Sequence, residues 1–406
     1  MEMVLEFLRD VLSQPALLIG IMSCIGLIAL KRPFHKIMTG TLKPILGYLM
    51  LAAGAGVIVS NLDPLGKMIE HGFHITGVVP NNEAIVAVAQ KVLGVETMSI
   101  LVVGLLMNLC IARFTKFKYV FLTGHHSLFM ACLMSAVLGT AGLSGMELIL
   151  VGGFLMGAWS AISPAIGQSY TSKVTDGDEI AIGHFGSLGY YLSAWVAKYV
   201  GKAEDSTEDI EIPEKWGFLR DSTLSTALTM IVFYLIAAFA AGSEFVAILS
   251  GDMSPYLYAV MSAMNFAVGV TIVYSGVRMI LGDLIPAFQG IATKIIPNAI
   301  PAVDCAVFFT YAPTAVVLGF LSSFIGGIIG MLILGAVGGV LIIPGLVPHF
   351  FCGATAGIYG NATGGRRGAA VGAFLNGLAI TFLPALALPV LGQLGFQNTT
   401  FGDADF

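Results

Sequence analysis

The stretch Thr175-Asp176-Gly177-Asp178-Glu179-Ile180-Ala181-Ile182-Gly183-His184-Phe185-Gly186-Ser187 decides how this chain is read. Three acids open it, and a histidine follows between glycines in an apolar run. Nearly everything before it is hydrocarbon, and a long charged loop comes soon after it, at 201–221. Irregular backbone at membrane depth survives only where it is buried in protein or lines a cavity. The stretch is therefore expected to form one wall of a ligand site.

The rest of the composition gives that reading its setting. Of 406 residues, 57% are hydrophobic and only 11% are charged, with a mean hydropathy of +0.89. A soluble domain carries about 25% charged residues, so this is an all-α polytopic membrane protein. The fifty glycines suit close helix packing in a bilayer. Cys24, Cys110, Cys132, Cys305 and Cys352 are scattered, without metal-ligand spacing, and read as inert thiols. A net charge of −5 gives no sign of nucleic-acid binding. No phosphate-binding loop of the Gly-x-x-x-x-Gly-Lys-Ser/Thr type is present, and Gly54-Ala55-Gly56 does not follow a strand. No cofactor is expected, and no nucleophile for covalent catalysis is signalled.

A span needs about 20 apolar residues. In the first half, spans are expected at 11–30, 41–60, 97–114, 123–142 and 146–167, with a polar connection at 61–76. Pro80-Asn81-Asn82-Glu83 interrupts the short apolar segment 77–94, which reads as a re-entrant hairpin. The run 180–200 reads as a second hairpin or a tilted segment. In the second half, spans are expected at 223–242, 256–279, 314–335 and 368–391. Residues 282–297 are amphipathic, 299–311 are apolar around Asp304, and 340–361 are broken by Pro344, Pro348 and glycines. The first segment lacks the flanks of a cleaved signal and reads as a retained span. Lysine and arginine clusters at 31–43, 113–118, 198–220 and 366–367, with Arg278, are expected to place those segments in the cytoplasm and the N-terminus outside.

The chain divides into 1–221 and 222–406, each carrying a polar motif, a span and a broken segment. Two such halves fit a transporter with a midplane site. An aspartate at bilayer depth costs roughly 2.5–3.5 kcal/mol on insertion scales, so Asp304 should face a cavity or a partner. It is a candidate acceptor for a substrate hydroxyl, or a structural cap. His184 can donate and accept between glycines that allow close approach. Of His125 and His126, one could donate to the ligand while the other caps a helix. Glu83 is a further candidate, and His349 a weaker one. His71 and His74 read as solvated. Phe129, Phe185 and Tyr190 could stack on a sugar ring or simply pack. Asp176, Asp178 and Glu179 read as an acidic turn at a hairpin mouth.

In order along the chain stand Lys-Pro-Ile-Leu-Gly at 43–47, Ala-Gly-Ala-Gly at 53–56, Leu-Thr-Gly-His at 122–125, Val-Thr-Asp-Gly at 174–177 and Ile-Gly-His at 182–184. Gly-Lys-Ala-Glu-Asp-Ser-Thr-Glu-Asp at 201–209, Val-Asp-Cys-Ala at 303–306, Tyr-Ala-Pro-Thr-Ala-Val-Val at 311–317 and Ile-Ile-Pro-Gly-Leu-Val-Pro at 342–348 follow. With these motifs the chain resembles the ascorbate branch of the ascorbate–galactitol enzyme IIC components of the bacterial phosphotransferase system.

The resemblance implies about ten transmembrane helices with re-entrant hairpins, in two inverted repeats. It implies a homodimer in the bacterial inner membrane, with core and scaffold domains built from both halves and an elevator-like motion. The substrate would be a sugar acid or polyol, phosphorylated by a separate cytoplasmic IIB protein fed by IIA, so the chain alone is a transport component rather than an enzyme. Substrate contacts carry over to His125, His184 and Asp304, and to the segments holding Gly54, Ala55, Asn82, Glu83, Thr355, Ala356, Gly357 and Ile358. Ascorbate permeases of that family have glutamine where this chain has Phe129 and Phe185, and tyrosine where it has Glu83. Each lost neutral hydrogen bond is worth roughly 0.5–1.5 kcal/mol, which keeps pentitols and hexitols open as substrates. The family also usually carries one more C-terminal span, so a shorter member or a truncated chain is expected. An ion- or proton-coupled symporter using Asp304 and Glu83, and a membrane sensor without transport, are the competing readings.

Overall fold

The computed structural model describes residues 10–11, 14–74, 77–78, 80, 82–210, 222–392 and 400–402. These residues are mostly helical: α1 (Pro15–Ala29), α2 (Phe34–Phe73), α3 (Asn82–Phe114), α4 (Gly124–Thr140), α5 (Gly145–Thr175), α6 (Ser187–Val200), α7 (Ser222–Ala241), α8 (Ser243–Ser250), α9 (Pro255–Lys294), α10 (Pro313–Ala336) and α11 (Leu346–Gly392). Three short strands lie between them: β1 (Tyr119–Phe121), β2 (Ala181–Ile182) and β3 (Ile300–Val303). Among the described residues, six helices are long and apolar enough to cross a membrane. A seventh span results if α7 and α8, bent by 116° about Gly242, count as one. The shorter apolar helices α1 and α4 have 15 and 17 residues.

Several helices outrun the expected spans. The polar stretch expected to connect after residue 60 stays helical to Phe73. Asn61 donates back to the Val57 carbonyl at 2.7 Å, and Lys67 pairs with Asp63 at 2.9 Å, one turn apart. Such i,i+4 pairs hold exposed helix together. At about 1.5 Å per residue, the 40-residue α2 reaches well past a hydrocarbon core about 30 Å thick. His71, expected to be solvated, is exposed and also stacks on Phe245 with ring centroids 3.9 Å apart. The amphipathic stretch after 282 likewise continues α9 to Lys294.

The expected hairpin at 77–94 lies partly outside the described residues. A helix starts at Asn82, just after Pro80, and passes a break at Leu93 into the next span. Val78 forms an isolated parallel bridge with Ile342. The broken segment expected at 340–361 is helical from Leu346, and the break falls later, at Gly364-Gly365. Gly365 has φ +60°, and a Cβ there would lie 2.3 Å from the Lys202 carbonyl oxygen, so conformation and space both require glycine.

Packing sorts the helices into two groups. α2 and α9 cross closely, flanked by α1 and α7, with α8 beside them. A Cβ on Gly54 would lie 2.8 Å from the Gly269 carbonyl oxygen, so bare glycine lets these two backbones meet. In the other group α3, α4 and α5 pack together, and α11 packs along α10 and α6. The three strands sit inside this second group. All five cysteines are free.

Candidate functional site

The three strands form one parallel sheet in the order β1-β3-β2. Phe121 pairs with Ala302, and Ile182 pairs with Val303. The ladder continues one step beyond each edge strand. Leu122 N–H donates to the Ala302 carbonyl at 2.9 Å, and Gly183 N–H donates to the Val303 carbonyl at 2.7 Å. A Cβ on Gly183 would lie 2.6 Å from the Ala302 carbonyl oxygen. Because all three strands run the same way, their carboxyl ends open on one side. Thr123 then starts α4, His184 follows Gly183, and Asp304 starts a 3-10 helix over Cys305–Thr310. Ligands of open parallel sheets bind outside the carboxyl ends of the strands.

The polar residues at this end are buried. His184 is 1% exposed, Asp304 6% and His126 7%. The imidazoles of His126 and His184 are 3.9 Å apart between centroids and inclined at 53°. Asp304 Oδ1 accepts the Ala306 N–H at 3.0 Å, which makes it the cap of its helix as well as a strand-end acid. His184 Nδ1 accepts the Gly186 N–H at 2.9 Å and lies 3.0 Å from the Tyr190 hydroxyl. Buried polar groups are costly unless bonded, and these bonds offset the cost while fixing the side chains. Imidazole nitrogens and a carboxyl oxygen together offer donors and acceptors suited to a hydroxyl-rich ligand.

Aromatic rings flank this cluster. Phe129 stands edge-on to His126 at 5.8 Å, and Phe185 packs against Phe121 at 4.9 Å. Tyr190, expected either to stack on a sugar ring or to pack, also places its hydroxyl on His184. Its ring lies 5.9 Å from that of Tyr359, whose hydroxyl is 2.7 Å from Thr171 Oγ1.

The carried-over segment on α11 precedes Tyr359 directly. Thr355 donates to the Phe351 carbonyl, and the Ala356 carbonyl accepts from Ser193 at 2.6 Å. Gly357 faces Gly319 of α10, and Ile358 is buried. Gly54 sits against α9, and Ala55 beside it is half-buried. The side chains of His125, Asn82 and Glu83 lie outside the described ones.

Other expected features have structural partners. His349 Nδ1 is 2.8 Å from Ser323 Oγ. Asp176 ends α5 in the left-handed conformation, Ser172 Oγ donates to Asp178, and Thr175 Oγ1 donates to the Gly177 carbonyl. The acids thus form a helix-ending turn, with Tyr311 across a cavity of about 210 Å³. Among the described residues no cluster of histidine, cysteine, aspartate or glutamate could hold a metal ion.

The charged loop folds onto the bundle over its described part. Thr207 N–H donates to Asn361 Oδ1 at 2.8 Å, and Arg366 N–H donates to the Asp205 carbonyl at 2.8 Å. Glu208 accepts from the Thr314 N–H at 3.0 Å, the Thr314 hydroxyl at 2.9 Å and the Ala315 N–H at 3.1 Å. It therefore caps the start of α10. Residues 211–221 lie outside the described ones.

The family described as PTS system sugar-specific permease component, EIIC-GAT, matches residues 10–405. The chain is also 28% identical over 417 aligned positions to a Mycoplasma pneumoniae protein named ascorbate-specific PTS system EIIC component. That alignment covers 88% of this chain and 62% of the relative, so the chain spans under two thirds of the relative's length.

Proposed function

This chain belongs to the family of PTS sugar-specific permease components, and from that premise we propose that it imports ascorbate or a related sugar acid or polyol. Uptake is coupled to phosphorylation by a separate cytoplasmic IIB protein, itself supplied by IIA. The name of the Mycoplasma pneumoniae relative supports ascorbate over the polyols. The observation that carries the reading is the meeting of His126, His184 and Asp304 at the carboxyl ends of three parallel strands, inside a bundle of membrane-length helices.

In this reading the imidazoles donate to sugar oxygens and Asp304 accepts from a sugar hydroxyl. Phe129 and Phe185 provide apolar walls for the C–H faces of the ligand. The α3–α6, α10 and α11 group is the core that carries the sugar. The α1, α2 and α7–α9 group is the scaffold, paired with a second copy in a homodimer. Both groups draw helices from each half of the chain, which supports the two-domain description. The element order supports two repeats: α3, β1, α4, α5, β2, α6 in one half, then α9, β3, the 3-10 helix, α10, the extended residue Ile342 and α11 in the other. The protein sits in the bacterial cell membrane with about ten spans, its N-terminus outside and its 201–221 loop in the cytoplasm.

A thermal-shift screen of the purified protein with ascorbate, pentitols, hexitols and other sugar acids tests the substrate class. The expected result is stabilisation by ascorbate or a close sugar acid, rising with ligand concentration. Stabilisation by no member of the set would remove this substrate class.

A further inference from the structure

We infer that Tyr190 is a positioning residue for His184, holding it in the neutral tautomer whose proton is on Nε2. The inference rests on the reading of His184 as a sugar contact. It deepens that reading by stating what the ring presents to the ligand.

The argument starts at Nδ1. The Gly186 amide, 2.9 Å away, can only donate, so Nδ1 must hold a lone pair. The Tyr190 hydroxyl, 3.0 Å from the same nitrogen, must then donate too. A neutral imidazole with Nδ1 as acceptor carries its proton on Nε2. Protonating Nδ1 would set an N–H against the Gly186 amide, which can only donate. His184 therefore presents a donor, and complements the acceptor oxygens of Asp304.

The position of Tyr190 explains how it reaches the ring. Gly186 precedes α6, and Tyr190 lies in its first turns. The helix start brings the phenol back over the residue that preceded the turn. Tyr190 is 0% exposed, with its ring between His184 at 5.5 Å and Tyr359 at 5.9 Å. A buried tyrosine hydroxyl needs a hydrogen-bond partner, and here that partner is the histidine. A phenylalanine would fill the same space and lose the bond.

The test uses full-length protein in lipid bilayers, labelled with 15N-histidine, with the His184 signals assigned by their loss in His184→Ala. The wild type is expected to show an unprotonated Nδ1 and a protonated Nε2. Tyr190→Phe should move the Nδ1 resonance downfield and weaken L-ascorbate binding about three- to tenfold, the scale of one neutral hydrogen bond. Tyr359→Phe removes a neighbouring buried hydroxyl that bonds Thr171 instead, and should leave the Nδ1 resonance in place. A protonated Nδ1 in the wild type, an unmoved resonance in Tyr190→Phe, or an equal shift in Tyr359→Phe would overturn the inference. So would unchanged L-ascorbate affinity in Tyr190→Phe. The resonance needs no ligand. A wild type that bound no L-ascorbate would therefore contradict the substrate reading alone, and the spectra would still decide the role of Tyr190.

Discussion

His126 and His184 come from different helix–strand junctions, yet their imidazole centroids are 3.9 Å apart. β3 causes this meeting. It lies between β1 and β2 and brings the ends of both to its own end at Asp304. The site is therefore assembled from three distant parts of the chain, each ending a strand in a polar residue.

The first prediction concerns those residues. His184→Ala should weaken sugar binding about three- to tenfold, the scale of one neutral hydrogen bond, and Asp304→Asn about tenfold or more, the scale of a bond to a carboxylate. Asparagine retains an oxygen that can accept the Ala306 N–H, so Asp304→Asn should stay folded. Binding by isothermal titration, beside the oligomeric state in detergent, checks this. Wild-type affinity in both variants would remove the two residues from the site.

Gly54 separates packing from binding. Its missing Cβ is where α9 approaches, so Gly54→Leu should disrupt the crossing, and Gly54→Ala should lower thermal stability by about 1–3 kcal/mol through overpacking. Sugar affinity in the folded fraction of Gly54→Ala should change little. A loss of affinity without loss of stability would make this residue a sugar contact.

Glu208 tests the charged loop. It accepts three hydrogen bonds at the start of α10, so Glu208→Ala should lower stability by about 1 kcal/mol, a typical helix-cap value. Glu208 is exposed, so screening keeps the effect modest. Thermal unfolding of the two proteins in the same detergent measures it. An unchanged melting temperature would show that the cap contributes nothing.

Gly365 tests the break in α11. With φ +60° and the Lys202 and Asp205 carbonyl oxygens against it, Gly365→Ala should loosen residues 201–209 from the bundle. Faster proteolysis within that loop is the expected readout. Cleavage at the wild-type rate would show that the loop tolerates the extra methyl group.

Much of this fold was legible from hydropathy. The expected span at 314–335 is α10 within a residue at each end, and that at 223–242 is α7 within one residue. His184 and Asp304 stood out because polar groups are rare in such apolar surroundings. The strands were not legible, because two to four residues are too few to show a period. A signal was present nonetheless: Val120-Phe121-Leu122, Ile180-Ala181-Ile182 and Ala302-Val303 are short apolar runs that each lead to a histidine or aspartate. The meeting of His126 with His184 was not legible either. His126 meets His184 only because β1 and β2 flank the same strand. The helical continuation through Asn61 and Asp63 was hidden by polarity, and local side-chain bonds explain it.

The central claim is that this chain moves a sugar acid only as part of a phosphoryl-transfer relay. Uptake of labelled L-ascorbate into membrane vesicles containing the protein tests it most directly, with phosphoenolpyruvate and the phosphotransferase carriers present and the cognate IIB protein either supplied or omitted. The account predicts that sugar phosphate accumulates only when IIB and phosphoenolpyruvate are both present. Equal uptake of unmodified sugar without IIB, abolished by an uncoupler, would contradict it.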